Sequence, residues 1–271
     1  MKSLILSLVT AIIYLPSVAQ ISGSPDNPKN PYDYVGANHN AGLDFIQQKY
    51  PNMSGQFFNE NWKAIVSDFL TVKQLDSRNF LNIVANPKVE QKCGAFSFYT
   101  NTVPQEELKR FLRDGLISPI RYTKAIEVYD LVDQIEEMLT ASNGDASKAF
   151  ANYRDKMLKL EMGYRTLSSD DQAFCFMISS VAMHSAFYWF NEGTKNHSSW
   201  GVPKCSSAGM WFSFWRRLLG SDVGGAVAGV VKTGVVAVLG GPAGWTACGT
   251  AALGGAVGSS AGYAISSLFG L

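Results

Sequence analysis

Residues 210–271 read MWFSFWRRLLGSDVGGAVAGVVKTGVVAVLGGPAGWTACGTAALGGAVGSSAGYAISSLFGL, and this stretch decides the fold that we expect. Fourteen glycines follow Leu219, and the 39 residues from Thr233 to Leu271 carry no charge. In water, each glycine destabilises a helix by about 1 kcal/mol relative to alanine. Inside a bilayer, a helix is kept despite its glycines, because unsatisfied backbone groups are very unfavourable there. The composition therefore predicts two helices, separated at Gly240-Gly241-Pro242, that enter or line a membrane.

Small residues recur in this stretch at the spacing of one helix face. Rows of this kind let two helix backbones approach closely, which is how helices associate within lipid. We therefore expect the two helices to form a hairpin, and the same rows would also support self-association of chains. The rows contain Gly225 and Gly229 in the first helix, and Gly254, Gly258 and Gly262 beside Ala251, Gly255 and Ser259 in the second.

A Trp/Arg-rich segment, residues 197–222, precedes the hairpin at 223–271. Trp211 and Trp215 stand beside Arg216 and Arg217. Indole rings favour the headgroup region of a bilayer and guanidinium groups bind lipid phosphates, so the pattern is typical of a membrane interface.

Lys232 is a charge within the first hairpin helix. A lysine near the bilayer centre costs about 2.5–3.5 kcal/mol, unless it snorkels or faces a polar lumen. Lys232 therefore favours the main alternative, a hairpin buried inside the protein's own helical domain. A flexible tail is the remaining alternative.

The first 19 residues have the features of a secretory signal peptide. Lys2 precedes an apolar run from Leu4 to Leu15, and Ser17-Val18-Ala19 forms a cleavage site. The run is short for a membrane span, so an uncleaved anchor is the weaker alternative. Export to the cell envelope, or secretion, follows from this interpretation. Without Lys2 the chain has 22 basic and 22 acidic residues, and this neutral charge gives no argument for nucleic acid as a partner.

Four cysteines, Cys93, Cys175, Cys205 and Cys248, would then lie in a compartment that permits disulfides. Three pairings are open, and the sequence does not choose among them. The absence of a C-x-x-C pair and of a nearby histidine pair argues against a zinc site at these cysteines. Buried free thiols are the alternative for Cys175 and Cys248, which stand in apolar runs.

Between a polar linker at 20–30 and the tail, residues 31–196 show helical periodicity. Phe58, Trp62, Ile65 and Phe69 form one apolar stripe. Asp145 is a candidate N-cap for a further helix. A helix that begins at Ser168 and runs to Asn191 is apolar on nearly every side, which predicts a central buried helix. Residues 93–99 are the one candidate strand. The fold class that we expect is mainly α, with a helical bundle domain followed by a Gly/Ala-rich helical hairpin.

The bundle begins with the motif NPYDYVGANHNAGLDFI, residues 30–46. This motif resembles the start of a group of exported, largely uncharacterised Bacteroidota proteins. The tail is similar to the glycine-zipper segments of small membrane-permeabilising bacteriocins. The first resemblance implies export, the second implies activity on a membrane, and neither supplies catalytic residues.

The same motif contains the candidate site residues Asp33, His39 and Asp44. A histidine near two carboxylates would bind a metal or act as a base, whereas a histidine that caps a helix or is hydrogen-bonded in a turn is the simpler interpretation. For His184, among apolar neighbours, a core position is the default. No phosphate-binding loop, H-E-x-x-H or G-x-S-x-G motif is present, so we expect no enzyme and no cofactor.

The sequence thus predicts an exported helical protein whose glycine-zipper hairpin inserts into or associates with a membrane, with lipid as its partner. A bacteriocin-like or pore-forming toxin is the leading function. A non-enzymatic envelope or surface-anchored protein whose helical domain binds a partner is the alternative. A metal-dependent hydrolase that uses His39 is the third hypothesis.

Overall fold

The computed structural model describes residues 21–51, 53–85, 104–195, 200, 210–237 and 243–269, without some side chains inside its helices. The regular structure of these residues is helical throughout, which confirms the prediction of a mainly α fold. The signal peptide and the candidate strand at 93–99 lie outside the described residues. The helices are α1 (Asp33–Lys49), α2 (Gly55–Val72), α3 (Ser77–Val84), α4 (Pro104–Arg113), α5 (Pro119–Asp133), α6 (Ile135–Ala141), α7 (Ala146–Tyr164), α8 (Ser169–Thr194), α9 (Met210–Ala237) and α10 (Ala243–Phe269).

Side-chain caps fix where several helices begin. Ser54, Ser118, Asp145 and Ser168 each accept a hydrogen bond from the backbone N–H three residues later, at the starts of α2, α5, α7 and α8. Two of these starts, at Asp145 and Ser168, are predicted by the sequence. The chain changes direction after α4 at Gly115. The φ of this residue is 68°, in the left-handed region that glycine adopts without strain.

Helix α8 forms the centre of the molecule, as its sequence predicts. Its residues from Ala173 to Ala186 are all buried, because the helix has no polar stripe to face water. Helices α1, α5, α7, α9 and α10 pack around it. Among the described residues, α8 is the one helix that is long and apolar enough to cross a membrane. Of its most apolar 18-residue stretch, 94% is buried inside the protein.

Helices α9 and α10 pack against each other more extensively than any other two helices of the described residues. Cβ atoms added at Gly225 and Gly229 would overlap the backbone carbonyls of Gly255 and Ala251. The Ser259 side chain also lies against Gly225. The contact with α9 therefore uses the row that contains Ala251, Gly255 and Ser259.

The hairpin packs into the helical domain and shares its hydrophobic core. A Cβ added at Gly42 on α1 would lie 2.6 Å from the Val257 side chain on α10. Gly254, from the other predicted row, faces the ring of Phe80 on α3. On its second side, α9 contacts α8. The sequence offered this arrangement, a hairpin enclosed by the protein's own helices, as the alternative to a membrane-inserted hairpin.

Residues 21–30, for which the sequence predicts a polar linker, lie against α7 and α8. Ile21 is buried, and its N–H donates to Asn191 Oδ1 at 2.8 Å. Asn30 Nδ2 donates to Glu161 Oε1 at 2.8 Å, and Asn27 donates to the other oxygen of the same carboxylate. Burial raises the pKa of Glu161, and the hydrogen bonds from Ser179, Asn30 and Asn27 oppose this rise. The segment is thus fixed by specific polar contacts.

Candidate functional site

The motif at the start of the bundle forms α1, and its polar residues contact α8. Gly36 N–H donates to Ser180 Oγ at 2.9 Å, and Asn40 Nδ2 donates to the backbone oxygen of His184 at 2.8 Å. Ser180 Oγ in turn donates to the backbone oxygen of Asp33 at 3.0 Å. A Cβ at Gly36 would overlap the Ser180 carbonyl, so glycine is needed for this close approach. The motif therefore sets the register between α1 and α8.

His39 lies at the meeting point of α1, α8 and α9, and its side chain is completely buried. Its Nδ1 lies 3.0 Å from Asn40 Oδ1, and its Nε2 lies 3.8 Å from Asp222 Oδ2 on α9. That same Asp222 oxygen accepts hydrogen bonds from the Ser185 hydroxyl and, at 3.0 Å, from Trp189 Nε1. Asp222 Oδ1 is buried and has no hydrogen-bond partner among the described residues.

Burial controls the charge of His39. It lowers the pKa of His39 to about 4, because the imidazolium ion loses its hydration; the Asn40 hydrogen bond opposes this shift. At neutral pH the ring is therefore uncharged. With no exposed surface, it cannot meet a substrate in this conformation. The geometry favours a structural role for His39, although the residue lies inside α1 and not at a helix cap or in a turn as the simpler interpretation predicts.

Asp33 contacts a different histidine. His184 Nε2–H donates to Asp33 Oδ1 at 3.1 Å, and the Asn27 N–H donates to Asp33 Oδ2 at 3.0 Å. Burial would raise the pKa of Asp33, but these two hydrogen bonds outweigh it, and the pKa is lowered. The carboxylate is thus ionised at neutral pH. The sequence treats His184 as an ordinary core histidine and misses this pair.

Asp44 stands at the other end of α1. Its carboxylate hydrogen-bonds the Tyr188 hydroxyl, which also accepts from Trp200 Nε1 at 2.9 Å. Asp33, His39 and Asp44 therefore each contact a different partner. The three candidate residues of the motif do not form one site, because they lie along about three turns of a single helix.

The candidate membrane residues of the tail are spread over two environments. Arg216 and Arg217 are exposed, and Arg216 forms a two-point ion pair with Asp133 on α5, with distances of 2.6 and 3.1 Å. Gly258 and Gly262 are buried within the core, as are Gly225, Gly229 and Gly254. The side chains of Trp211, Trp215 and Lys232 lie outside the described part of the chain.

Cys175 is a buried free thiol on α8, which confirms that alternative for this residue. Burial raises its pKa to about 12, so the thiol is unreactive at neutral pH. The side chains of Cys93, Cys205 and Cys248 are not among those described.

Sequence reasoning also missed Asp222, the buried carboxyl group that lies beside His39. Asp222 is the only acidic residue from Met210 to Leu271, and this isolation is the signal that could have identified it. A lone carboxyl group in an apolar hairpin needs polar partners, and here α8 supplies them.

Comparison with protein families, with curated proteins and with solved structures finds no match to this chain.

Proposed function

We propose that this protein is an exported, water-stable carrier of a membrane-active hairpin. Helices α9 and α10 leave the helices that cover them and insert into a membrane, where they permeabilise it as a pore-forming or bacteriocin-like toxin does. One observation carries the proposal. The long Gly/Ala-rich hairpin pairs through its own small residues, and shorter helices cover its outer faces.

The dimensions of the hairpin suit this role. Helices α9 and α10 contain 28 and 27 residues. At 1.5 Å per residue each is about 40 Å long, more than the ~30 Å thickness of bilayer hydrocarbon. Because Gly225 and Gly229 contact α10 directly, the two helices can stay paired when they move together. Close packing through small residues still stabilises a helix pair in lipid, where the hydrophobic effect no longer drives helices together.

Most contacts between the hairpin and the helices that cover it are apolar, and lipid can replace apolar contacts. The Gly42–Val257 and Gly254–Phe80 contacts are apolar, and acyl chains offer similar surroundings. Asp222 and Arg216 are the exceptions. The hydrogen bonds of Asp222 to Ser185 and Trp189 must break when α9 leaves α8, and so must the ion pair of Arg216 with Asp133 on α5. Arg216 and Arg217, exposed near the start of α9, are placed to meet anionic headgroups first.

The test uses a disulfide to cross-link the hairpin to α1, one of the helices that cover it. The close approach of Gly42 to Val257 suits a disulfide, so the pair Gly42→Cys and Val257→Cys joins α1 to α10. Purified mature protein is added to dye-loaded vesicles that contain anionic lipid. We expect dye release from the wild type, no release from the oxidised pair, and recovery of release after reduction.

A matched control carries only one of the two cysteines. The single variant Val257→Cys cannot form the cross-link between α1 and α10, and oxidation should leave its dye release unchanged. Wild-type protein given the same oxidation accounts for the native cysteines. Absence of release from the wild type at every protein-to-lipid ratio contradicts the toxin, and binding without release leaves only an anchor. Equal release from the locked and unlocked forms shows that the hairpin is not the inserting element.

The second candidate is a non-enzymatic envelope protein in which the hairpin stays in the core. The burial of Asp222 against α8 favours it, because that carboxyl group is well placed in the closed form. In this case the protein neither binds nor permeabilises vesicles, and its exposed helices bind the partner.

A further inference from the structure

Three polar side chains from three separate segments converge beside the N-terminal end of α1. Asp26 belongs to the segment before α1, Asp33 to the first turn of α1, and His184 to the middle of α8. One ligand atom from each lies within 4.8 Å of the other two. This group is separate from the cluster around His39 and Asp222, and the proposed hairpin movement does not use it.

Other contacts hold each of the three groups in place. The Asn27 N–H binds Asp33 Oδ2, which leaves Oδ1 directed at His184. The Ser24 hydroxyl donates to Asp26 Oδ2 at 2.6 Å. His184 is almost completely buried, and a Cβ at Gly36 would lie 2.6 Å from its Cδ2 atom. Glycine at position 36 thus makes room for the imidazole ring in the orientation that points Nε2 toward the two carboxylates.

We propose that Asp26, Asp33 and His184 bind one divalent transition-metal ion, with zinc as the preferred ion. Two carboxylates and one imidazole are a ligand set that Zn²⁺ accepts, with water in the remaining position. In a tetrahedral site, bonds of about 2.0–2.1 Å place neighbouring ligand atoms roughly 3.3–3.4 Å apart. His184 Nε2 and Asp33 Oδ1, now a hydrogen-bonded pair at 3.1 Å, need to separate only slightly to admit the ion.

The charges also favour a divalent ion. Two carboxylates lie together, and their negative charge outnumbers the single positive charge of the nearby Arg154, which donates to the backbone oxygen of Asp26 at 3.2 Å. On binding, the metal takes the place of the hydrogen on His184 Nε2, and the neutral ligand carries its hydrogen on Nδ1. A neutral ring therefore changes tautomer, and a protonated ring releases one proton to water. Asp26 is exposed, so an ion and a coordinated water can enter from solvent. The bound ion joins residues 21–30 to α1 and α8 and stabilises the folded chain.

The test is a zinc titration of the purified, chelator-treated mature protein by calorimetry. Accessible thiols are alkylated beforehand, because cysteines are strong zinc ligands. We expect one zinc ion per chain and an increase in Tm when zinc is present in excess. Asp26→Asn should weaken zinc binding by about tenfold or more and abolish the increase in Tm. Because Asp26 is exposed, this variant keeps the fold even if replacement of the buried His184 does not.

Asp170→Asn is the matched control. Asp170 is an exposed aspartate on α8, fourteen residues before His184 and therefore about 21 Å away along the helix. Its replacement should leave zinc binding unchanged. Two results would overturn the proposal: no zinc binding by the alkylated wild type, or equal zinc affinity in the wild type and in Asp26→Asn. Neither zinc binding nor Tm involves lipid, so these measurements are independent of dye release. Either proposal can therefore be contradicted while the other stands.

Discussion

His39 Nε2 lies 3.8 Å from Asp222 Oδ2, and both side chains are completely buried. The pair connects the first helix of the bundle to the first helix of the hairpin. Polar groups in an apolar core are tolerated only where they meet each other or other polar partners. This requirement makes the pair a marker of correct docking, because a hairpin displaced by one turn would leave Asp222 against apolar side chains.

His39 should make the folded state sensitive to acid. Its pKa is about 4 in the folded protein and near 6.5 in the unfolded chain, so the unfolded chain binds more protons between these values. The stability from neutral His39 is therefore present above about pH 6.5 and is lost as the pH falls toward 4. The full difference corresponds to roughly 3 kcal/mol. Denaturant unfolding at a series of pH values measures it.

The control for this prediction is His39→Gln, which keeps a polar side chain and cannot be protonated. Asp222 on α9 and His184 on α8 are the titratable groups that face His39, and α10 carries no charged residue. Both groups remain in the variant, so its unfolding free energy should vary less between pH 7 and pH 5. An identical slope in the two proteins would assign the acid sensitivity to other groups.

Replacement of Asp222 should separate its hydrogen bonds from its charge. Ser185 and Trp189 both donate to Oδ2, and an amide oxygen can accept both bonds. Asp222→Asn should therefore change the unfolding free energy little. Asp222→Leu removes the acceptor for both donors and should cost about 2 kcal/mol or more. Equal effects of the two replacements in denaturant unfolding would mean that the hydrogen bonds contribute nothing.

Two glycine replacements should have opposite effects although both sites are helical. A Cβ at Gly229 would overlap the Ala251 backbone, whereas a Cβ at Gly163 would meet no atom within 4 Å. Gly229→Ala should therefore cost about 1–3 kcal/mol through overpacking. Gly163→Ala should raise the unfolding free energy by about 0.5–1 kcal/mol, because alanine favours the helix. A stabilising Gly229→Ala would exclude close pairing of α9 with α10 at this level.

Removal of residues 209–271 should prevent folding of the remainder. The sequence alone predicts a soluble, folded domain after this deletion, but Gly42 and Phe80 contact α10 directly. Without the hairpin, their surroundings and much of α8 become exposed to water, and we expect aggregation with loss of helical circular dichroism. A soluble, monomeric fragment with full helical signal would show instead that the hairpin is dispensable for the fold.

Local signals in the sequence accounted for the helices. The cap at Asp145 and the apolar character of residues 168–191 predict α7 and the buried α8 because both depend only on neighbours in the chain. The small-residue rows likewise predict that the two tail helices pair. Which row faces which helix was not predictable, since Gly254 and Gly255 are adjacent and only the packing assigns one to Phe80 and the other to Gly225.

The candidate site depends on contacts between distant segments, and periodicity carries no information about these. Asp33 pairs with His184, and His39 with Asp222, on helices that are far apart in the chain. A single sequence identifies which residues carry chemistry but not which of them meet. It therefore grouped Asp33, His39 and Asp44 by their closeness in the chain, although each has its own partner.

The segment at 21–30 places a constraint on the order in which the chain can fold. Its anchors, Ser147, Glu161 and Asn191, are synthesised more than a hundred residues later. The contact of α1 with α10 forms later still, because Gly42 on α1 packs against Val257 on α10. Contacts between such distant residues close late and slowly. A nascent chain therefore lacks these contacts until its last helix is made, so the N-terminal segment and one side of α1 acquire their partners only when synthesis is almost complete.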